Sequence, residues 1–430
     1  MHRILLGASC ALVALPLHCA RAQTPPIATD ATTVESRTGA APAPLVELVE
    51  RAWRLSRQEA AKSARATELG AREAATRTLF AGAPVVSVDL RRDLPRGVAL
   101  PATTASPERG KNEWEPGFAA PLWLPGQRDA QRRVIDRERQ SLSASGVLAR
   151  WQLAGEVRDT VWRLGAARVE QAVQAARLDS ARALERDVER RLRGGDLARA
   201  DLWLAQAEVR AAQAAALDAG GRLAEARATL AALSGLDEPG DVLETPVARP
   251  PDAADEHPVA RAAAEALAAA RSRVDYARTV RRDNPTFSVV GRFDRDAFDT
   301  GYRNTVRMGV AIPLATESRN APRITAAAAE ATDAEVTLER ELRRIAGEQR
   351  STAAALEAAR AALEAQIERA RLARDTVEAV ERAFRAGERS LPELLRLRAL
   401  LIDAELAREL ARNHLGAAIA RFNQALGDTP

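Results

Sequence analysis

Residues 126–193 contain no proline and read as one helical segment from end to end. If helical throughout, that run reaches ~100 Å, at about 1.5 Å of rise per residue. This is several times the diameter of an ordinary domain, so the helix must lie in a rod or a tube. The plan then recurs. Pro121 and Pro313, Gly195 and Gly387, Asp201 and Glu393, Leu202 and Leu394, and Gly235 and Gly427 are each 192 residues apart. Five pairs in one register, with matching local roles, mark an internal duplication.

Breakers divide each copy in the same way. In the first, a helical pattern from Leu45 to Phe80 precedes a Pro/Gly-punctuated stretch from Gly82 to Gly126. The long helix follows, broken at Gly194-Gly195, and a return arm stops at Ser234-Gly235. In the second, a helix from Val259 to Arg282 precedes a β-like stretch opened by Asn284-Pro285. A long helix then runs to Ala386 and breaks at Gly387, and the last arm ends at Gly427. Residues 44–236 and 259–427 are the expected repeats, and 237–258, with five prolines, is a linker between them. The helices carry coiled-coil spacing: Leu356, Leu363, Ala370, Val377 and Phe384 are each seven apart, and Val147, Trp151, Ala154, Val157, Val161 and Leu164 step by threes and fours. With aromatics at only 3%, Ala and Arg dominate, which suits helix seams with solvated outer faces.

The N-terminus carries an export signal. His2 and Arg3 precede a mostly apolar run from Ile4 to Leu17, and Ala20-Arg21-Ala22 supplies a small-x-small cleavage pattern. Residues 1–22 are therefore expected to be a signal peptide, and the polar, Pro-containing residues 23–43 a flexible leader. Cys10 and Cys19 both fall in the segment to be removed, which leaves a mature chain without thiols. No later stretch is long and apolar enough for a transmembrane helix, so a membrane crossing would have to be made by strands.

Two short stretches alternate with period two. Val86, Val88 and Leu90 alternate with Ser87, Asp89 and Arg91; Val306, Met308, Val310 and Ile312 alternate with Thr305, Arg307, Gly309 and Ala311. Phe287, Val289 and Phe293 in the partner strand are less regular, and Trp114, Phe118 and Ala120 fit a weaker strand. Such alternation fits a barrel wall between lipid and water, and equally an ordinary half-buried hairpin. Four strands cannot close a barrel, so a membrane role requires several copies to share one.

The order of helix, hairpin, long helix, glycine turn and return helix, given twice after a signal peptide, resembles the TolC-type outer-membrane factors. The resemblance covers residues 44–427. Its most specific pieces are Arg193-Gly194-Gly195-Asp196-Leu197 with Asp201-Leu202, and Phe384-Arg385-Ala386-Gly387-Glu388-Arg389 with Glu393-Leu394-Leu395. The strand-to-helix segment from Pro313 to Asn320 is similar to the metal-resistance branch. The resemblance implies a mainly α fold with a small β part: two tandem repeats of long coiled-coil helices, each carrying a β-hairpin. Three copies would share a 12-stranded outer-membrane barrel, set in outer-membrane lipid above an α-helical periplasmic tunnel. It also implies a periplasmic adaptor and a proton-driven inner-membrane pump as partners. By position, Asp201 and Glu393 match acidic residues of a periplasmic gate and Arg389 a basic residue that holds it shut. Gly194, Gly195, Asp196 and Leu197, with Ala386, Gly387 and Glu388, match the adaptor-docking turns. Arg396 stands where many members have a second acid. The plainer reading of Asp201 and Glu393 is that of acids favoured by a helix start.

Other chemistry is missing. His257 and His414 are the only histidines after the leader, and neither has partners at metal-ligand spacing. No phosphate loop, nucleophile elbow or paired catalytic carboxylates occur, so neither cofactor nor metal is expected, and an enzyme is not. The net charge of +4 is spread without a basic block, which argues against nucleic acid. Three readings remain: a conduit of a tripartite efflux system, a type I protein secretion conduit, and a pore-less periplasmic coiled-coil protein.

Overall fold

The computed structural model describes residues 44–92, 112–240, 244–248, 254–295 and 301–430. The expected signal peptide and leader, the centre of the linker and the tips of both hairpins lie outside the described residues.

The two halves repeat one order of helix, hairpin, long helix and return helix, with one extra helix at the start of the first. The first has α1 (Leu45–Leu55), α2 (Gln58–Thr76), β1 (Val85–Arg92), β2 (Asn112–Pro121), α3 (Gln127–Gly194) and α4 (Arg199–Ser234). The second has α5 (Pro258–Thr279), β3 (Thr286–Arg295), β4 (Arg303–Ala311), α6 (Glu317–Arg385) and α7 (Leu391–Ala425). The long helices α3 and α6 hold 68 and 69 residues. The expected single helix from Leu45 to Phe80 is two helices, because the chain turns at Ser56-Arg57, with Arg57 in a left-handed conformation at φ 53°. No glycine or proline marks that break. The short α1 separates so that Leu48, Val49 and Ala52 can lie on α3 and α4, against Val157, Leu164 and Leu230.

The spacing of apolar residues decides the packing. Of the stripe on α3, Trp151, Ala154, Val157, Val161 and Leu164 are buried, and Val147 alone stays exposed. On α6, Leu356, Ala370, Val377 and Phe384 are buried at multiples of seven, with Leu363 between the first two half-buried. Each long helix packs along its own return arm, and the two halves meet where α3 lies on α7 and α5. At that seam Trp151 donates through Nε1 to the Gln424 carbonyl at 3.1 Å, and Gln424 donates through Nε2 to the Trp151 carbonyl at 2.8 Å. Asn413 donates to the Trp162 carbonyl at 3.0 Å. Gly416 faces the Trp162 ring so closely that an added Cβ would stand 2.0 Å from it, so this position needs glycine. Charged residues tie the shorter helices on: Glu138 of α3 accepts from Arg72 of α2 at 2.7 Å and from Arg273 of α5 at 2.8 Å.

Candidate functional site: a two-faced sheet and a doubled helical turn

The four strands form one antiparallel sheet in the order β1-β2-β3-β4, which joins the hairpins of the two halves. Its register sorts side chains by face. One face carries Val86, Val88 and Leu90 of β1, opposite Phe118, Pro116 and Trp114 of β2. Phe118 in turn stands opposite Val289 and Trp114 opposite Phe293; across the next pair, Phe287, Val289 and Gly291 meet Val310, Met308 and Val306. Trp114 and Phe293 stack with centroids 4.6 Å apart. This face is apolar across all four strands as far as Asn304, which stands opposite Phe293, and much of it is exposed: Leu90 is 80% exposed and Met308 71%. The residues that alternate poorly within their own strands therefore complete the face through their cross-strand neighbours.

The other face is polar and graded along the strands. Towards the helices it carries small side chains, Ala119, Ser288 and Gly309 in one row. Away from them it carries charge: Arg91, Glu113, Asp294 and Arg303 in one row, and Asp89, Glu115, Arg292 and Thr305 in the next. Arg292 bridges Glu113 at 2.5 Å and Glu115 at 3.5 Å. Val290 is the one apolar side chain in its row, beside Gly117 and Arg307. Among the described residues no further strand pairs with β1 or β4, so the sheet has two open edges.

At the far end of the long helices the two glycine turns are built alike. After α3, Gly195 takes φ +85°; its N–H donates to the Leu192 carbonyl at 3.1 Å, and that of Asp196 to the Arg191 carbonyl at 3.0 Å. After α6, Gly387 takes φ +76°; its N–H donates to the Phe384 carbonyl at 3.1 Å, and that of Glu388 to the Ala383 carbonyl at 2.9 Å. Both are Schellman terminations, which need a residue at ease with positive φ. The flanking leucines bring the turns together: Leu184, Val188 and Ala205 from the first hairpin pack with Phe384, Leu391 and Leu394 from the second. Arg191 lies over the Phe384 ring, 5.0 Å from its centroid. A groove of about 250 Å³ opens beside this cluster, lined by Asp187, Arg191, Glu381, Arg385 and Arg398 among others.

Gly194, Gly195 and Asp196 of the first turn are exposed and Leu197 half-buried; Ala386, Gly387 and Glu388 of the second are all exposed. Asp201 sits in the first turn of α4 and accepts the Ala198 N–H at 3.1 Å through Oδ2, which satisfies a helix-end donor. Glu393 occupies the matching place in α7 and instead accepts Arg389 Nη1 at 2.8 Å. Two of the three expected gate residues are thus paired with each other, four residues apart on one chain, and the third is held by backbone.

One polar constellation escapes sequence reading. Arg158 lies on the buried stripe of α3 with its side chain 3% exposed. It donates to Glu244 in the linker at 2.7 Å, to Asp428 beyond α7 at 2.9 Å, and to Gln424 at 2.5 Å. Beside it, buried Asn423 accepts the Val247 N–H at 2.9 Å and donates to the Thr245 carbonyl at 3.0 Å. The available signal was an arginine four residues after Ala154 and three before Val161, in a row of residues that face inward. Among the described residues no group of His, Cys, Asp and Glu is placed to hold a metal ion, and no helix is long and apolar enough to cross a membrane.

A duplicated helical hairpin joined to a two-faced sheet defines the class: the fold is that of the TolC-type outer-membrane factors. Residues 250–428 match the family model described as outer membrane efflux protein. Among solved structures, the outer membrane protein VceC from Vibrio cholerae aligns with a TM-score of 0.69 at 17% identity, over 89% of this chain and 96% of VceC. CusC, described as forming a transmembrane channel, aligns at 0.72 and 15% identity, over 92% and 96% of the two chains. The MtrE outer membrane channel of Neisseria gonorrhoeae, in its open state, aligns at 0.67 and 17%, over 90% and 89%. At these identities the likeness is one of fold. No curated protein matches this chain.

Proposed function

We propose that this chain is the outer-membrane channel subunit of a tripartite efflux system. The observation that carries the reading is the sheet: a mainly apolar face runs across four strands of 8, 10, 10 and 9 residues, with charge on the reverse. These lengths match a tilted bilayer crossing, for which about 9–11 residues are needed. Lipid does not tolerate the two open edges. Three copies pairing β4 of one with β1 of the next give a closed barrel of twelve strands, and the helical hairpins continue it as a periplasmic tunnel. Conduction through such a pore needs no bond chemistry; the polar face lines the water path.

The doubled turn is the natural periplasmic end. A periplasmic adaptor meets Gly194, Gly195, Asp196 and Leu197 together with Ala386, Gly387 and Glu388, because these cap the hairpins. Asp201, Glu393 and Arg389 serve as the gate, and the Arg389–Glu393 pair is a contact that opening has to relocate. An inner-membrane pump, proton-driven, supplies the energy. The test joins two measurements on native cells. Carbonate washing should leave the protein in the outer-membrane fraction, and a deletion strain should lose tolerance to a divalent metal, a dye or a detergent. A protein that washes off overturns the channel. A missing exported polypeptide with normal tolerance moves the assignment to protein secretion.

A further inference from the structure

We infer that α4 bends at Gly220-Gly221, and that this joint carries the first glycine turn when the periplasmic end opens. The bend is a property of the helix and its packing; its use in opening rests on the channel reading.

These two glycines are the one adjacent pair inside a helix among the described residues. Around them α4 runs without interruption from Arg199 to Ser234, and neither takes a positive φ. Nor does either make room for a neighbour: a Cβ added at Gly220 or Gly221 would meet nothing within 4 Å. The glycines where α3 meets α7 differ. Gly155 faces Gln424, Gly165 faces Asn413 and Gly416 faces Trp162, each with an atom under 3.0 Å from an added Cβ. At an interior helix position glycine lowers the helical equilibrium roughly fivefold relative to alanine, about 1 kcal/mol. Two in succession, needed neither for a turn nor for packing, leave a weak point in an otherwise alanine-rich helix.

The packing of α4 on α3 is interrupted at the same level. One apolar cluster ends at Ala167 and Leu223, and the next begins at Leu178, Ala181 and Ala212. Between them no residue of α3 from 168 to 177 is buried, and on α4 from 213 to 222 only Ala219 is. Arg222 pairs with Glu170 there at 2.9 Å, open to solvent, and Gln174 Oε1 is buried without a hydrogen-bond partner. Low local packing of this kind marks segments that open below the global unfolding energy. The second half is built otherwise. The residues 192 further on are Arg412 and Asn413, and Asn413 donates to the Trp162 carbonyl at 3.0 Å. So α7 is fastened to α3 at the repeat position where α4 is loosest. Bending at Gly220-Gly221 swings the arm that carries Asp201 and the turn before it, while α7 stays anchored.

The first measurement is hydrogen exchange on the full-length protein in lipid, corrected for the intrinsic rate. Residues 213–222 should be the least protected stretch between Ala205 and Leu230. Gly220→Ala/Gly221→Ala should raise their protection by roughly tenfold or more. In planar bilayers the same double variant should open spontaneously less often, by a similar factor. Gly347→Ala, at another helical glycine with nothing within 4 Å of an added Cβ, should leave the opening rate unchanged. Uniform protection along α4 in the wild type would overturn the joint. Raised protection with an unchanged opening rate would overturn its part in opening. A double variant that no longer forms oligomers would show that the glycines make room for another copy, and would overturn the joint as well. Inserted protein that carries no current would overturn the channel reading, while the exchange data would still decide the bend.

Discussion

A buried arginine that binds three separated segments is the most consequential single side chain here. Arg158 holds the linker through Glu244 and the C-terminal end through Asp428, and all of it rests on α3. Removing one partner of a buried charged pair typically costs about 3–5 kcal/mol, because the remaining charge stays desolvated. Arg158→Ala should therefore lower the thermal unfolding midpoint and make residues 244–248 newly sensitive to protease. Arg158→Lys should recover only part of the loss, since an ammonium cannot reproduce the fork. Asp201 and Glu393 make a second residue-scale case. Asp201→Ala with Glu393→Ala removes a helix-end acceptor from α4 and frees Arg389, so single-channel conductance or ion selectivity should change. Unaltered traces would return both acids to plain helix-start roles. The loss of the Asp201 acceptor alone should destabilise the start of α4 by about 1 kcal/mol.

At the scale of elements, the strands carry the sharpest expectation. Met308→Arg places a charge on the face proposed to meet lipid, at about 2–4 kcal/mol per copy near the midplane. Outer-membrane yield should drop, while Thr305→Arg, on the polar face, should assemble normally. Equal yields for both would reverse the orientation of the sheet. The helices add a pH-dependent contact. Hydrogen bonding from Arg139 of α3, and then from Arg77, holds the Glu73 carboxyl of α2 below its ordinary range. A carboxyl held low in the folded state contributes stability above its ordinary value, 4.5, and loses that contribution as pH falls below it. Hydrogen-exchange protection of α2, corrected for the intrinsic rate at each pH, should accordingly fall below about pH 4.5. Since both side chains of the pair remain partly open to solvent, the effect should be small and weakened by salt.

How much of these elements could be read in advance follows from what each depends on. The long helices, their seven-residue seams and both glycine turns are local: spacing and a demand for positive φ leave a direct imprint on sequence. The strands β2 and β3 are only half legible. Pro116 and Gly291 interrupt their alternation, and the face becomes continuous only when Val88 and Val306 fill it from neighbouring strands. The turn at Arg57 was illegible, because tertiary packing of α1 and not a breaker causes it. Arg158 was illegible as a clamp for the same reason: its partners lie 86 and 270 residues away.

For the whole molecule, the seam between α3 and α7 divides what is fastened from what can move. Trp151, Trp162, Asn413, Gly416 and Gln424 interlock over that stretch, and the Arg158 clamp lies within it. The turns lie about thirty residues further along, held together by an apolar cluster and, among the described residues, few cross-hairpin hydrogen bonds. Any opening of the end should therefore be confined to the segment beyond Trp162. Gly416→Ala, which forces the Trp162 ring away, should loosen the seam and raise the spontaneous conductance of the closed state. An unchanged closed-state current would place the pivot elsewhere.

The two open edges of the sheet have a consequence for how such a channel comes into being. A lone copy in lipid would leave the backbone amides and carbonyls of β1 and β4 without water and without partners. On the channel reading it consequently has no stable home in the bilayer, and must wait in the aqueous phase until two others are at hand. Insertion then becomes a meeting of three molecules, whose pace should rise steeply with the concentration of newly exported chains.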